Sequence, residues 1–105
     1  MPISTSIRDD KFIIKLSERF DFNDQAAFRQ AYEVTLGSNK LKVDIDFSNV
    51  SYIDSAALGM LLLLHDYIGA SFSSSSKDLI TFKNTSPEIK SILDVAKFSD
   101  LFTIE

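Results

Sequence analysis

The stretch "VDIDFSNVSYIDSAALGMLLLL", residues 43–64, joins two opposite hydrophobic patterns across one turn. In its first part Val43, Ile45 and Phe47 alternate with Asp44 and Asp46, and Leu41 and Lys42 extend the alternation backwards. That period of two predicts a strand with one face packed and the other open to water. After a turn at Ser48 and Asn49 the period becomes helical. At about 100° per residue from Ser55, Ala57, Leu61, Leu64 and Ile68 share one side, with Met60 close by, and form the expected core face. Ser55, Gly59, Leu62 and Asp66 cluster on the opposite side, flanked by Leu58 and Leu63.

Those last leucines are surplus to a single core-facing stripe. A helix that is apolar nearly all round is either buried on both sides or carries an apolar patch towards solvent. Strands covered on both faces are apolar throughout, whereas residues 41–47 alternate, so helix layers on both sheet faces are disfavoured. The expectation is a partly exposed patch beside Ser55, of the kind that docks a partner. Asp54 is placed to cap the helix, and Ser55 falls in its first turn, where free backbone N–H groups and the helix dipole favour an anion. On the pattern alone, Ser55 reads either as an ordinary helix-start residue or as a modification site. A phosphoryl group there would add about −1.5 to −2 charges at the edge of the patch.

Outward from this stretch, "ISTSI" (3–7) alternates and reads as a half-buried strand, followed by a turn at "RDDK" and a second strand, Phe12 to Leu16. Ala27, Phe28, Ala31, Tyr32, Thr35 and Leu36 fall at helical spacing, with Asn23 as the expected N-cap and Gly37 as the stop. The central helix is expected to run to about Ile68, and the serine run "SFSSSSKD" (71–78) to be a loop. "LITF" (79–82) is a further strand. Ser86 caps a third helix with Pro87 at its first position and Ile89, Ile92, Leu93 and Ala96 as its apolar stripe; "LFTI" (101–104) closes the order. The result is an α/β chain of order β-β-α-β-α-β-α-β, with a mixed β-sheet and helices mainly on one face, whose later strands are parallel through right-handed crossovers.

The 105 residues suit one domain, 1–105, that buries about two-thirds of its unfolded surface, and 45% hydrophobic with 25% charged residues is ordinary globular composition. No cysteine is present, so no disulfide framework, thiolate metal site or cysteine nucleophile can be built; the chain reads as cytoplasmic, with no secretory signal in "MPISTSIRDDK". The run Met60 to Leu64 is far shorter than the roughly twenty residues of a membrane span, and no membrane association is expected. A net charge of −4, with Lys and Arg scattered, disfavours nucleic acid. The nine Phe read as core material rather than a base-stacking platform.

Residues 43–64 resemble the central motif of STAS domains of the anti-sigma factor antagonist type: a strand leading to an aspartate-serine pair, a small-residue segment, Leu-Gly and an apolar helix. "RFDFNDQAAF" (19–28) resembles the family's loop into its first helix, and "SPEIKSILDVAKFSDLFTI" (86–104) its third helix and last strand. The resemblance implies that Ser55 is the phosphoacceptor positioned by Asp54, and that Asp21 and Phe22 lie beside the same partner surface as Leu58, Gly59 and Leu62. It implies a partner that is an anti-sigma factor, often itself a serine kinase, bound by the unphosphorylated form, and a metal-dependent serine phosphatase that restores that form. No cofactor or metal is implied. A scaffold module that regulates another signalling protein without phosphorylation is the alternative.

Three positions depart from the family pattern. Ala57 replaces the usual glycine before Leu-Gly, and Glu18 stands where a glycine often precedes the loop aspartate. The sequence stops at Glu105, where many relatives continue into another helix, which leaves room for self-association as a homodimer or a changed partner geometry.

Enzyme readings rank lower. Ten residues separate Ser55 from His65, the sole histidine, or about 15 Å along a helix, too far for a Ser-His-Asp arrangement, and His65 reads as a surface or partner-facing residue. No G-x-S-x-G, P-loop or G-x-G-x-x-G motif occurs. An aspartate-phosphorylated receiver built on Asp44, Asp46 and Asp54 is disfavoured, because alternation sends Asp44 and Asp46 to the open sheet face and Asp9-Asp10 precedes a strand where a receiver needs a helix.

Overall fold

The computed structural model describes residues 3–36, 42–72 and 79–105. Its strands are β1 (Ser4–Arg8), β2 (Lys11–Lys15), β3 (Arg19–Phe20), β4 (Lys42–Asp46), β5 (Tyr52–Ile53), β6 (Ile80–Lys83) and β7 (Thr103–Ile104). Its helices are α1 (Gln25–Leu36), α2 (Ser55–Phe72) and α3 (Pro87–Val95), with 3-10 turns at Phe22–Asp24 and Phe98–Asp100. The main sheet has the order β1-β2-β4-β6-β7. Only the β1–β2 hairpin is antiparallel; β2–β4, β4–β6 and β6–β7 are parallel, so the sheet is mixed as expected. The hairpin closes through Asp9 and Asp10, both at positive φ (51° and 67°), a conformation aspartate tolerates and whose twist matches the flanking strands.

Phe12 and Ile14 of β2, Val43 and Ile45 of β4, and Ile80 and Phe82 of β6 point to one face and are all buried. Onto this face α2 lays Ala57, Met60, Leu61, Leu64 and Ile68, all buried as the helical spacing anticipates, while α3 contributes Ile89 and Leu93. Of the eight phenylalanines whose side chains are described, seven are buried. Phe82 stacks on Phe102 at 4.5 Å between centroids, with Phe47 tilted against Phe82 at 5.1 Å, an offset arrangement that adds to simple burial.

The opposite face carries Lys11, Lys15, Lys42, Asp44, Asp46 and Lys83 and meets solvent. There Lys11 Nζ lies 3.8 Å from Asp44 Oδ2, and Lys83 Nζ donates to Glu105 Oε1 at 2.7 Å. Asp46 Oδ1 accepts from Ser48 N at 2.9 Å and from Asn84 Nδ2 at 3.0 Å. Partial burial pushes the Asp46 carboxyl up, but these hydrogen bonds to its charged form outweigh burial and hold it below the usual carboxylate value. The Glu105 hydrogen bond raises the Lys83 ammonium above its ordinary value.

Several local expectations are corrected. β1 is exposed along its whole length, and Ile7 is 60% exposed instead of packing in a half-buried strand. The cause is position: β1 is the sheet edge, and the helix layer does not extend over it. The first helical segment is capped by Asp21, not Asn23; the Asp21 carboxylate accepts from Asn23 N, and a 3-10 turn precedes α1. In α3 the stripe narrows to Ile89 and Leu93, because Ile92 is 40% exposed and the helix ends before Ala96, where Lys97 turns left-handed at φ 62°. The last strand is shortened to Thr103–Ile104 by the Phe98–Asp100 turn. α2 runs on to Phe72, into the serine run. The expected stop at Gly37 and the rest of that run, 73–78, lie outside the described residues.

Candidate functional site

Two strands of two residues each, which no hydrophobic period announces, build the site. β3 and β5 pair in parallel, Arg19 opposite Tyr52 and Phe20 opposite Ile53. The Glu18 carbonyl steadies the pair by accepting from Ser51 N at 2.8 Å and Tyr52 N at 3.3 Å. Phe20 and Ile53 turn inward and are buried, while Arg19 and Tyr52 turn out. The next residue on each strand is an aspartate, and each aspartate opens a helical segment. Asp21 Oδ1 accepts from Asn23 N at 3.0 Å, and Asp54 Oδ1 accepts from Ala57 N at 2.8 Å. Register thus sets the starts of α1 and α2 side by side.

Asp21 is itself buried. Asp24 closes its capping box, and Ser17, also buried, donates Oγ–H to Asp24 Oδ2 at 2.8 Å. Asp21 therefore shapes the surface from beneath, and the exposed member of the predicted pair is Phe22, at 63%. Glu18 needs no glycine conformation, since it is absent from the positive-φ residues among those described. Ala57 is fully buried, its methyl part of the core.

Ser55 is exposed at the start of α2, and its hydroxyl has no protein hydrogen-bond partner among the described residues. Asp54 satisfies the Ala57 N–H with its side chain and the Leu58 N–H with its carbonyl at 3.3 Å, leaving the N–H groups of Ser55 and Ala56 without an acceptor within the helix. Beyond the serine the predicted apolar face divides. Leu58 is half-buried against the core, Leu62 is 39% exposed and Leu63 51%. Gly59 is half-buried, and a Cβ built there would meet nothing within 4 Å, so the surface dips at this point.

α1 and α2 run in the same direction, and a shallow groove lies between them. Phe28, Arg29 and Tyr32 line it opposite Met60 and Leu63; one turn further on, Tyr32 and Glu33 face Asp66 and Tyr67 around about 360 Å³ of open volume. Arg29 Nε pairs with Glu33 Oε2 at 3.2 Å on the rim. His65 is not in the groove; its ring meets Phe102 edge-on at 5.8 Å. Asp44 and Asp46 lie on the open sheet face, apart from Asp54, and no cluster of three or more metal-ligating side chains occurs among the described residues.

No hydrophobic period marks Arg19 or Tyr52. The Arg19 guanidinium sits 4.1 Å over the Tyr52 ring, and its Nε donates to Asp21 Oδ2 at 2.9 Å. One signal was present: Arg19 and Tyr52 stand at the same offset, two residues before Asp21 and Asp54. Strand pairing is what turns that offset into contact.

A one-sided sheet, a helix start with an exposed serine and an adjoining groove make up the candidate site. The family model described as "Mlab, STAS domain" matches residues 3–103, and this chain belongs to the STAS domain family. A STAS-domain containing protein of Pseudomonas aeruginosa (strain UCBPP-PA14) is 41% identical over 91 residues, 87% of this chain and 84% of that protein. Among solved structures, a proposed anti-sigma factor antagonist from Thermotoga maritima superposes with a TM-score of 0.80 at 16% identity, covering 97% of this chain and 84% of its own. The anti-sigma factor antagonist SpoIIAA in its unphosphorylated form gives 0.70 at 16% identity over 98% and 86%, and the Bacillus SpoIIAA in its phosphorylated form gives 0.66 at 15% over 98% and 90%. At these identities the solved structures establish a shared fold. No described helix is long and apolar enough to cross a membrane.

Proposed function

We propose that this protein is an anti-sigma factor antagonist controlled at Ser55. In its unphosphorylated form it binds an anti-sigma factor or switch kinase, using the surface formed by Phe22, Leu58, Gly59 and Leu62 around Ser55, with Asp21 and Asp54 holding the two helix starts beneath it. A kinase partner moves the terminal phosphoryl group of a nucleoside triphosphate to Ser55 Oγ, and the added charge ends the complex. A metal-dependent serine phosphatase resets the switch.

The observation that carries this reading is an exposed hydroxyl on a capped helix start, on the helix that also exposes Leu62 and Leu63. A dianion at that point desolvates poorly under an apolar partner and repels an acidic one. Likeness in fold to a protein known in unphosphorylated and phosphorylated forms supports it. Treatment with the cognate kinase and mapping of the phosphate by mass spectrometry should place the modification on Ser55. In a binding titration Ser55→Ala should retain affinity and Ser55→Asp lose it. Phosphate confined to 73–76, or equal affinity of both variants, would overturn the switch.

The second reading, a scaffold module that docks another signalling protein without phosphorylation, is favoured by the groove between α1 and α2, whose lining does not include Ser55. Unchanged binding in both Ser55 variants, with binding lost in Leu63→Asp, is its signature.

A further inference from the structure

Arg19 is the residue at the site whose arrangement the docking surface alone does not explain. Its side chain is largely exposed, yet it is held at two points: Nε on Asp21 Oδ2 at 2.9 Å, and the guanidinium plane 4.1 Å over the Tyr52 ring. The two terminal Nη nitrogens have no acceptor among the described residues. A guanidinium anchored through Nε and a ring face presents those nitrogens as a fixed fork, the geometry that takes two oxygens of a phosphate or carboxylate.

Strand register places Arg19 beside the segment that leads to the serine. Arg19 reaches forward along β3 to Asp21, and the residue beside Asp21 in the parallel pair is Asp54, next to Ser55. Tyr52, over which the guanidinium lies, is three residues before Ser55, so their Cα atoms are at most about 10 Å apart. A phosphoryl group on Ser55 would join two carboxylates, Asp21 and Asp54, that already occupy this corner. Arg19, already paired with Asp21, is a cation that the strand pairing brings to this corner.

We propose that Arg19 is a positioning residue for the phosphorylated state: its Nη groups clasp the phosphoryl oxygens on Ser55 while Nε stays on Asp21 and the plane stays on Tyr52. The clasp favours the dianion and folds it against β5, which turns the modification into a fixed feature of the docking surface. This inference rests on reading Ser55 as the modified serine, and it extends that reading to how the phosphate is held.

The test uses the full chain with phosphoserine inserted at position 55 during translation, so that no kinase is required and failure to find a kinase or partner does not affect it. Phosphorus NMR titration should give a second phosphate pKa below the usual value near 6. Arg19→Gln should raise it by about half a unit, and Arg19→Lys should recover part of the shift. A purely structural role for Arg19 would lower the melting temperature without moving this pKa. If the phosphate titrates identically with Arg19 and with Gln in a folded chain, the clasp is overturned. Should Arg19→Gln fail to fold, nitrogen-15 spectra of the unsubstituted protein decide: the Arg19 Nη resonances should shift on phosphorylation, and unchanged resonances refute the proposal.

Discussion

Four consecutive leucines in α2 allow one comparison that tests both fold and site. Leu61 and Leu64 are fully buried, whereas Leu62 is 39% and Leu63 51% exposed. Replacing Leu61 or Leu64 by alanine removes a side chain with no solvent contact and leaves a cavity against Phe- and Ile-rich neighbours, at a cost of about 2–5 kcal/mol. At Leu63 about half of the side chain's area is already in water, so at most about half of the ~1.5–3 kcal/mol for full burial is at stake, with little cavity left behind. Alanine's slightly better helix propensity offsets part of that. Leu62→Ala and Leu63→Ala should therefore each cost under about 1.5 kcal/mol, less than Leu61→Ala or Leu64→Ala. Urea unfolding of all four variants, analysed at a common m-value, reads the difference, and a chain of this size should lose about 4–8 °C in melting temperature per kcal/mol. The same preparations titrated with the partner should show the reverse order, with Leu62→Ala and Leu63→Ala weakening the complex. If the four substitutions cost equal stability, the division of α2 into a core face and a docking face is wrong, and the proposed surface goes with it.

Asp54→Ala removes the acceptor of the Ala57 N–H and should destabilise the chain by about 1 kcal/mol in a denaturant melt, with Ser55 left on a frayed first turn. Lys97 holds a left-handed φ of 62° after α3, so Lys97→Gly should relieve strain and raise stability by about 0.5–1 kcal/mol, seen as a higher melting temperature. Asp46 is held below its ordinary carboxyl value, so the stabilisation it contributes is complete above about pH 4 and vanishes as pH falls through the lower folded-state value. Asp46→Asn should accordingly reduce stability at pH 7 by under about 1 kcal/mol and leave it nearly unchanged near pH 2, as read from unfolding curves at both pH values.

The regular elements were legible because their side chains repeat. Val43, Ile45 and Phe47 alternate across a strand that faces helices on one side and water on the other, and Ala57, Leu61, Leu64 and Ile68 recur at a helical interval. Those patterns, with the Asp54-Ser55 pair before the apolar helix, are properties of local spacing and survive without knowledge of neighbours. Edge position is different. Ile7 has the alternation of a packed residue and is exposed because no helix reaches β1. Nothing local marks that fact.

What local sequence determined about this protein is the one-sided sheet, the core face of α2 and the capped serine at its start. Tertiary structure alone decided the site. β3 and β5 are too short to show a period, and their hydrogen-bonded register is what brings Arg19 to Tyr52 and sets Asp21 next to Asp54. A contact between residues more than thirty positions apart depends on which strand edges meet. That choice is made by the packing of Phe20 and Ile53 into the common core, where the free energy of burial is shared among many residues and written in no single stretch.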